Sequence, residues 1–189
     1  MYSLDKAFDE LLSKFRDPDA LNPAKSAPVF YFRYPPELML AVKKNLPRLM
    51  SRLQQEAKLE VRRISLADLI WNIVDESGRW GIWLDLERGA DPDQINDAVR
   101  DVLRQGNTLV NRVAEAINSA PSNTIVFLTE TEVLHPYLRT RIIEEYLHNS
   151  AVVCTIIFYP GERSGQFGLK FLGFYKEDSG YRSTIIGGL

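Results

Sequence analysis

The stretch AVVCTIIFYPG, residues 151–161, decides the fold. It is apolar almost throughout, which suits a strand covered on both faces, as the strands of a parallel sheet are. The overlapping stretch FYPGERSGQFG (158–168) raises a second question, because glycines crowded behind a buried strand can cradle phosphate. A phosphate loop needs its glycines to lead into a helix, so that free N–H groups and the helix dipole face the anion. Here Gly161, Gly165 and Gly168 lead into GLKFLGFY, a strand pattern, and no Lys-Ser/Thr pair follows. The stretch reads as a strand-to-strand loop whose glycines supply positive φ.

Outward from that strand, the chain alternates between strand and helix patterns. Leu4, Phe8, Leu11, Leu12 and Phe15 mark an amphipathic helix over 3–16, and the proline-rich segment 17–28 marks a loop. VFYFRY (29–34) is a strand stopped by Pro35-Pro36. The next helix has an apolar stripe from Leu38 to Leu53, and Pro47 inside it should kink or split it. LEVRRI (59–64) and TIVFLTE (124–130) are strands, and VLHPYLRTRIIEEYLHN (133–149) is a helix. Between them, 66–120 is too long for one crossover and reads as a helical insertion. Ser65 with Asp68 starts its first helix, and Asp91-Pro92 starts a later one that is interrupted near Gly106. GLKFLGFYKE and YRSTIIGG close the chain, and DSG (178–180) between them predicts an antiparallel hairpin.

The expected fold is therefore a three-layer α/β/α domain over 1–189. Its sheet is mainly parallel, in a P-loop-like or Rossmann-like order without a phosphate loop. The net charge is −2, from 23 Lys+Arg against 25 Asp+Glu, so no global field draws the protein to nucleic acid or anionic lipid. The single cysteine, Cys154, has no intrachain partner and points to a reduced compartment. With no signal-peptide pattern and no apolar run near the ~20 residues a bilayer requires, the expected location is cytoplasmic.

Catalytic patterns are weak. The strand end TETE (129–132) puts Glu130 where nucleotide hydrolases hold magnesium, but Thr129 stands where Asp is expected. His135 and His148 lack partners at metal-ligand spacing, and Cys154 reads as core rather than nucleophile. Lys43, Lys44, Arg48 and Arg52 line one helix face, which reads as solvated and offers only a minor case for DNA contact. Aromatic residues are more numerous than an alternating core demands, and an aromatic surface suits protein partners.

Three stretches resemble one family. FYFRYPPEL (30–38) runs into a Tyr-Pro corner, VFLTETEVLHPYLRTRIIEEYL (126–147) joins a strand to a helix, and IIFYPGERSGQFGLKFLGFYKEDSGYRSTII (156–186) carries a Tyr-Pro-Gly-Glu turn and a closing Tyr-Arg. In that order they are similar to the BrxB family of bacteriophage-exclusion (BREX) defence systems. The resemblance implies an antiviral role beside a methyltransferase, a large ATPase and an alkaline-phosphatase-like protein of the PglZ type. It implies a non-catalytic accessory that binds the PglZ-type protein or the ATPase, with no catalytic, cofactor or metal residue to carry over. The matching positions are Tyr34, Pro35, Tyr159, Pro160, Gly161, Glu162, Tyr181 and Arg182, which read as corners and turns. A degenerate nucleotide-binding domain is the alternative, and a symmetric dimer is the default form of any self-association.

Overall fold

The computed structural model describes residues 2–21, 28–165, 168–179 and 181–187. Its centre is a parallel sheet built from β1 (Val29–Tyr34), β2 (Glu60–Ser65), β3 (Thr124–Thr129), β4 (Thr155–Ser164) and β7 (Thr184–Ile186). Their order is β2-β3-β4-β1-β7, and every pairing along it is parallel. Two further strands, β5 (Gly168–Phe171) and β6 (Asp178–Ser179), extend the far end of β4 as an antiparallel flap. The sheet is mainly parallel and flanked by helices, as the uninterrupted apolar strands require.

Each face has its own core. On one side, α1 (Leu4–Arg16) and α2 (Met39–Glu56) press Phe8, Leu11, Leu49 and Leu53 onto Phe30, Phe32, Phe127 and Phe158. On the other lie α3 (Leu66–Glu76), α4 (Trp80–Glu87), α5 (Pro92–Arg104), α6 (Thr108–Asn118) and α7 (Thr140–Ser150). There Ile73, Leu103, Leu109, Val113 and Leu147 cover Tyr31, Val126, Leu128 and Tyr159. Alternate residues of β1 thus serve opposite cores, which is why Val29, Phe30, Tyr31 and Phe32 are all large and buried.

Local signals set several boundaries. The Ser65 hydroxyl accepts from the Asp68 N–H at the start of α3. Asp91 and Gln94 form a reciprocal capping box at the start of α5. Gly106, at φ 60°, separates α5 from α6. Pro47 is accommodated without splitting α2, which runs unbroken on both sides of it. Much of the loop expected at 17–28 lies outside the described residues, although Pro18–Leu21 forms a short 3-10 turn.

Four expectations need correction. The strand within 151–161 begins only at Thr155; Val152 before it is 75% exposed. The helix expected from residue 133 begins at Thr140; only a 3-10 turn, Thr131–Leu134, precedes it, and the backbone is extended at His135, just before Pro136, and again at Arg139. Among the described residues, the two closing strands do not pair with each other. Leu172 (φ 53°) and Gly173 (φ 75°) turn the chain, Asp178–Ser179 pairs back onto β5, and β7 travels on to join β1 in parallel. Finally, positive φ explains Gly165 (φ 60°) but not Gly161, where the reason is space. A Cβ there would collide with the Tyr159 ring and lie 2.5 Å from the Lys170 carbonyl oxygen.

Candidate functional site

Parallel α/β sheets usually receive ligands at their carboxyl edge, so that edge comes first. Both Tyr-Pro dipeptides meet there. Tyr34 lies in register with Pro160, and Arg33 with Tyr159, so the corner after β1 sits beside the extension of β4. Tyr159 is fully buried and packs edge-on to Tyr31, with ring centroids 5.4 Å apart. Tyr181 closes the cage at 5.1 Å from Tyr31. Burial pushes the phenols of Tyr31, Tyr34, Tyr159 and Tyr181 above their usual range. These rings are packing groups.

Beneath the cage lies Glu144 of α7, only 2% exposed. Its Oε1 accepts from the Arg182 N–H at 3.1 Å, the Ser183 N–H at 3.0 Å and the Ser183 hydroxyl at 2.6 Å. This carboxylate fixes the chain just ahead of β7. Of the residues singled out by family likeness, Tyr34, Pro35, Tyr159, Pro160 and Gly161 gather at this edge, Tyr181 completes the cage, and the Arg182 N–H belongs to the Glu144 clamp. Glu162 stands apart, exposed and opposite Lys170 on the β4–β5 flap.

The TETE strand end is occupied by the protein's own side chains. Thr129 is buried, donates to the Ile64 carbonyl at 3.2 Å and accepts from Arg63 Nε at 3.0 Å. Glu130 follows at φ 63° and takes the Ser65 hydroxyl, Arg63 at 3.1 Å and Lys43 at 3.3 Å. Lys43 also reaches Glu132 at 2.8 Å. Burial alone would raise the Glu130 pKa, but the Ser65 hydroxyl and the Lys43 and Arg63 charges outweigh it and hold it below the usual range. The Lys43 ammonium is desolvated, yet Glu132 and Glu130 keep its pKa raised. A carboxylate so engaged has few lone pairs left to offer another cation.

The open surface lies elsewhere. Trp80, Ile82, Leu84 and Leu86 of α4 are between 45% and 60% exposed, and of its large apolar side chains only Trp83 is buried. The large apolar side chains of α4 are spread around its axis rather than gathered in one stripe, so burying Trp83 leaves the others at the surface. Trp71 of α3 meets Trp80 edge-on at 5.6 Å. A groove of about 290 Å³ runs from these two indoles past Val133 to His135. His135 in turn packs edge-on against Phe174, which is 64% exposed, at 5.3 Å. Arg139 stacks over the neighbouring Tyr175 ring, 3.2 Å from its centroid. The surplus of aromatics noted in the sequence thus emerges as one connected band. The separate part played by Ile82, Leu84 and Leu86 was missed, although the absence of a polar face in WGIWL is a readable signal.

Fold and surface together define a parallel α/β domain with a self-neutralised carboxyl edge and an uncovered apolar band. The family model described as "BREX protein BrxB" matches residues 62–186, and the chain belongs to that family. It is also 28% identical over 191 residues to the BREX protein BrxB of Bacillus cereus (strain H3081.97), covering 97% of each chain. No solved structure matches it. Membership gives the chain a role in the BREX system of defence against phage.

Proposed function

We propose that this chain is a non-catalytic docking subunit that binds one of the larger BREX proteins, either the PglZ-type alkaline-phosphatase-like protein or the ATPase. The observation that carries this reading is α4, which leaves Trp80, Ile82, Leu84 and Leu86 in water beside Trp71. Exposed clusters of large apolar side chains mark interaction sites, and tryptophan is the side chain most enriched among binding hot spots. The carboxyl edge supports the non-catalytic half, since Lys43, Arg63, Glu130 and Glu132 neutralise one another.

The test mixes the purified chain with each larger BREX protein of its own system and follows complex formation by size-exclusion chromatography. A stable complex with one of them is expected, and failure with all of them contradicts the proposal. ATP with magnesium, tested alongside, should leave the melting temperature unchanged. A nucleotide at 100-fold its Kd would add about 2.7 kcal/mol, and a rise of that kind would favour a nucleotide-binding domain instead.

A further inference from the structure

We infer that the surface seated on α4 is a protein face in which an apolar contact is rimmed by Arg and Lys side chains; this rests on the docking reading. What points to it is the charge threaded through the apolar band. Residues 75–93 hold Asp75, Glu76, Asp85, Glu87, Asp91 and Asp93 against only Arg79 and Arg88. Six acids against two bases give a local charge of −4, where the whole chain carries −2. All eight side chains are exposed. Glu76 is held by Arg112, while the other five acids form no ion pair with any described residue. On α4 itself, Asp85 and Glu87 alternate with Leu84 and Leu86, so nothing can cover the leucines without meeting the carboxylates.

That arrangement discriminates among occupants. Nucleic acid and an anionic bilayer both meet repulsion from these exposed carboxylates. A second copy of this chain offers the basic face of α2, where three of the four cations are already paired with that chain's own acids. Lys43 holds Glu130 and Glu132, Arg48 reaches Asp5 at 3.5 Å, and Arg52 reaches Asp9 at 3.0 Å and Glu56 at 2.9 Å. A protein with unpaired cations around an apolar projection satisfies both halves of the surface. Arginine is the favoured cation, because the exposed indoles of Trp71 and Trp80 can stack a guanidinium while the carboxylates take its N–H groups.

The experiment uses whichever purified BREX protein forms the complex and measures association and dissociation rates by biolayer interferometry. Three forms of the chain are compared: wild type, Asp85→Lys with Glu87→Lys, and Ile82→Ser with Leu86→Ser. All substituted side chains are exposed, and thermal melts confirm that each variant is folded. The wild-type association rate should fall about 10-fold or more between low and high salt, as steered encounters do. Charge reversal should lower the low-salt rate by roughly 10-fold and flatten that salt dependence. The serine pair should weaken binding about 100-fold at either salt, because two apolar contacts are lost. If the charge-reversed form binds with wild-type rate and salt dependence while the serine pair fails, docking on α4 stands and the basic rim is wrong. If the serine pair binds like wild type, the α4 surface itself is wrong. Self-association lost in the serine pair, or flotation of the wild type with phosphatidylserine vesicles, would overturn the inference in favour of a second copy or a membrane.

Discussion

Lys43 on α2 holds Glu132 at 2.8 Å and Glu130 at 3.3 Å, tying the helix that follows β1 to the turn that follows β3. In a phosphate-binding sheet, a lysine near this position would face the ligand. Here it spends its charge on two glutamates of its own chain. The same contact closes the carboxyl edge and fixes the relative height of α2 and β3. Its consequences are energetic and can be measured without knowing any partner.

Replacing Glu130 with Gln should destabilise the fold by about 1 kcal/mol, since it strips Lys43 and Arg63 of a part-buried partner but keeps a polar group. Urea denaturation would show this. The pH dependence has a definite sign. The Glu130 pKa is depressed in the folded state, so its stabilisation is present above the unfolded value of about 4.3 and is lost as pH falls through the folded one. Acid titration of stability should therefore be less steep in Glu130→Gln than in wild type.

Glu144 offers a sharper case. Glu144→Ala leaves the Arg182 and Ser183 N–H groups and the Ser183 hydroxyl without their acceptor in a buried site. The expected loss is roughly 3 kcal/mol. Glu144→Gln keeps an oxygen acceptor and should cost less. Hydrogen exchange should show the amides of β7 (Thr184–Ile186) losing protection first in the alanine variant, because that strand depends on the clamp for its entry to the sheet. Uniform loss across the sheet, with β7 no worse, would contradict this role.

Gly161→Ala should cost about 2 kcal/mol, since the added methyl meets the Tyr159 ring and the Lys170 backbone, neither of which can easily withdraw. Gly81→Ala is the contrast. An added Cβ there meets open space, and the helix gains propensity, so equilibrium unfolding should show no loss.

Much of this architecture was legible in the chain. The apolar run of 29–34 is a strand between those residues, Ser65 and Asp91 cap the helices they precede, and Gly106 breaks the helical region it interrupts. Those features are decided by neighbours in sequence. The destination of β7 was not legible, because it depends on Glu144, and nothing in IIEEY tells which glutamate turns inward toward a loop 38 residues on. The start of α7 was not legible either, because Leu134, Leu138 and Ile142 keep a helical spacing across Pro136 although the backbone there is not helical. The proposed docking surface was half visible. The surplus of aromatics is plain in the sequence, but which rings remain in water depends on how α4 packs against α5. The charge on TETE was also visible, though its pairing with Lys43 spans the sheet and has no local signature.

The most direct measurement is phage plating on cells that carry the complete BREX system with this chain replaced by one of two variants at matched protein levels. Docking through α4 without chemistry at the carboxyl edge predicts that Glu130→Gln still protects, while Ile82→Ser with Leu86→Ser lets phage plate as on unprotected cells. Loss of protection with Glu130→Gln and full protection with the serine pair would contradict it.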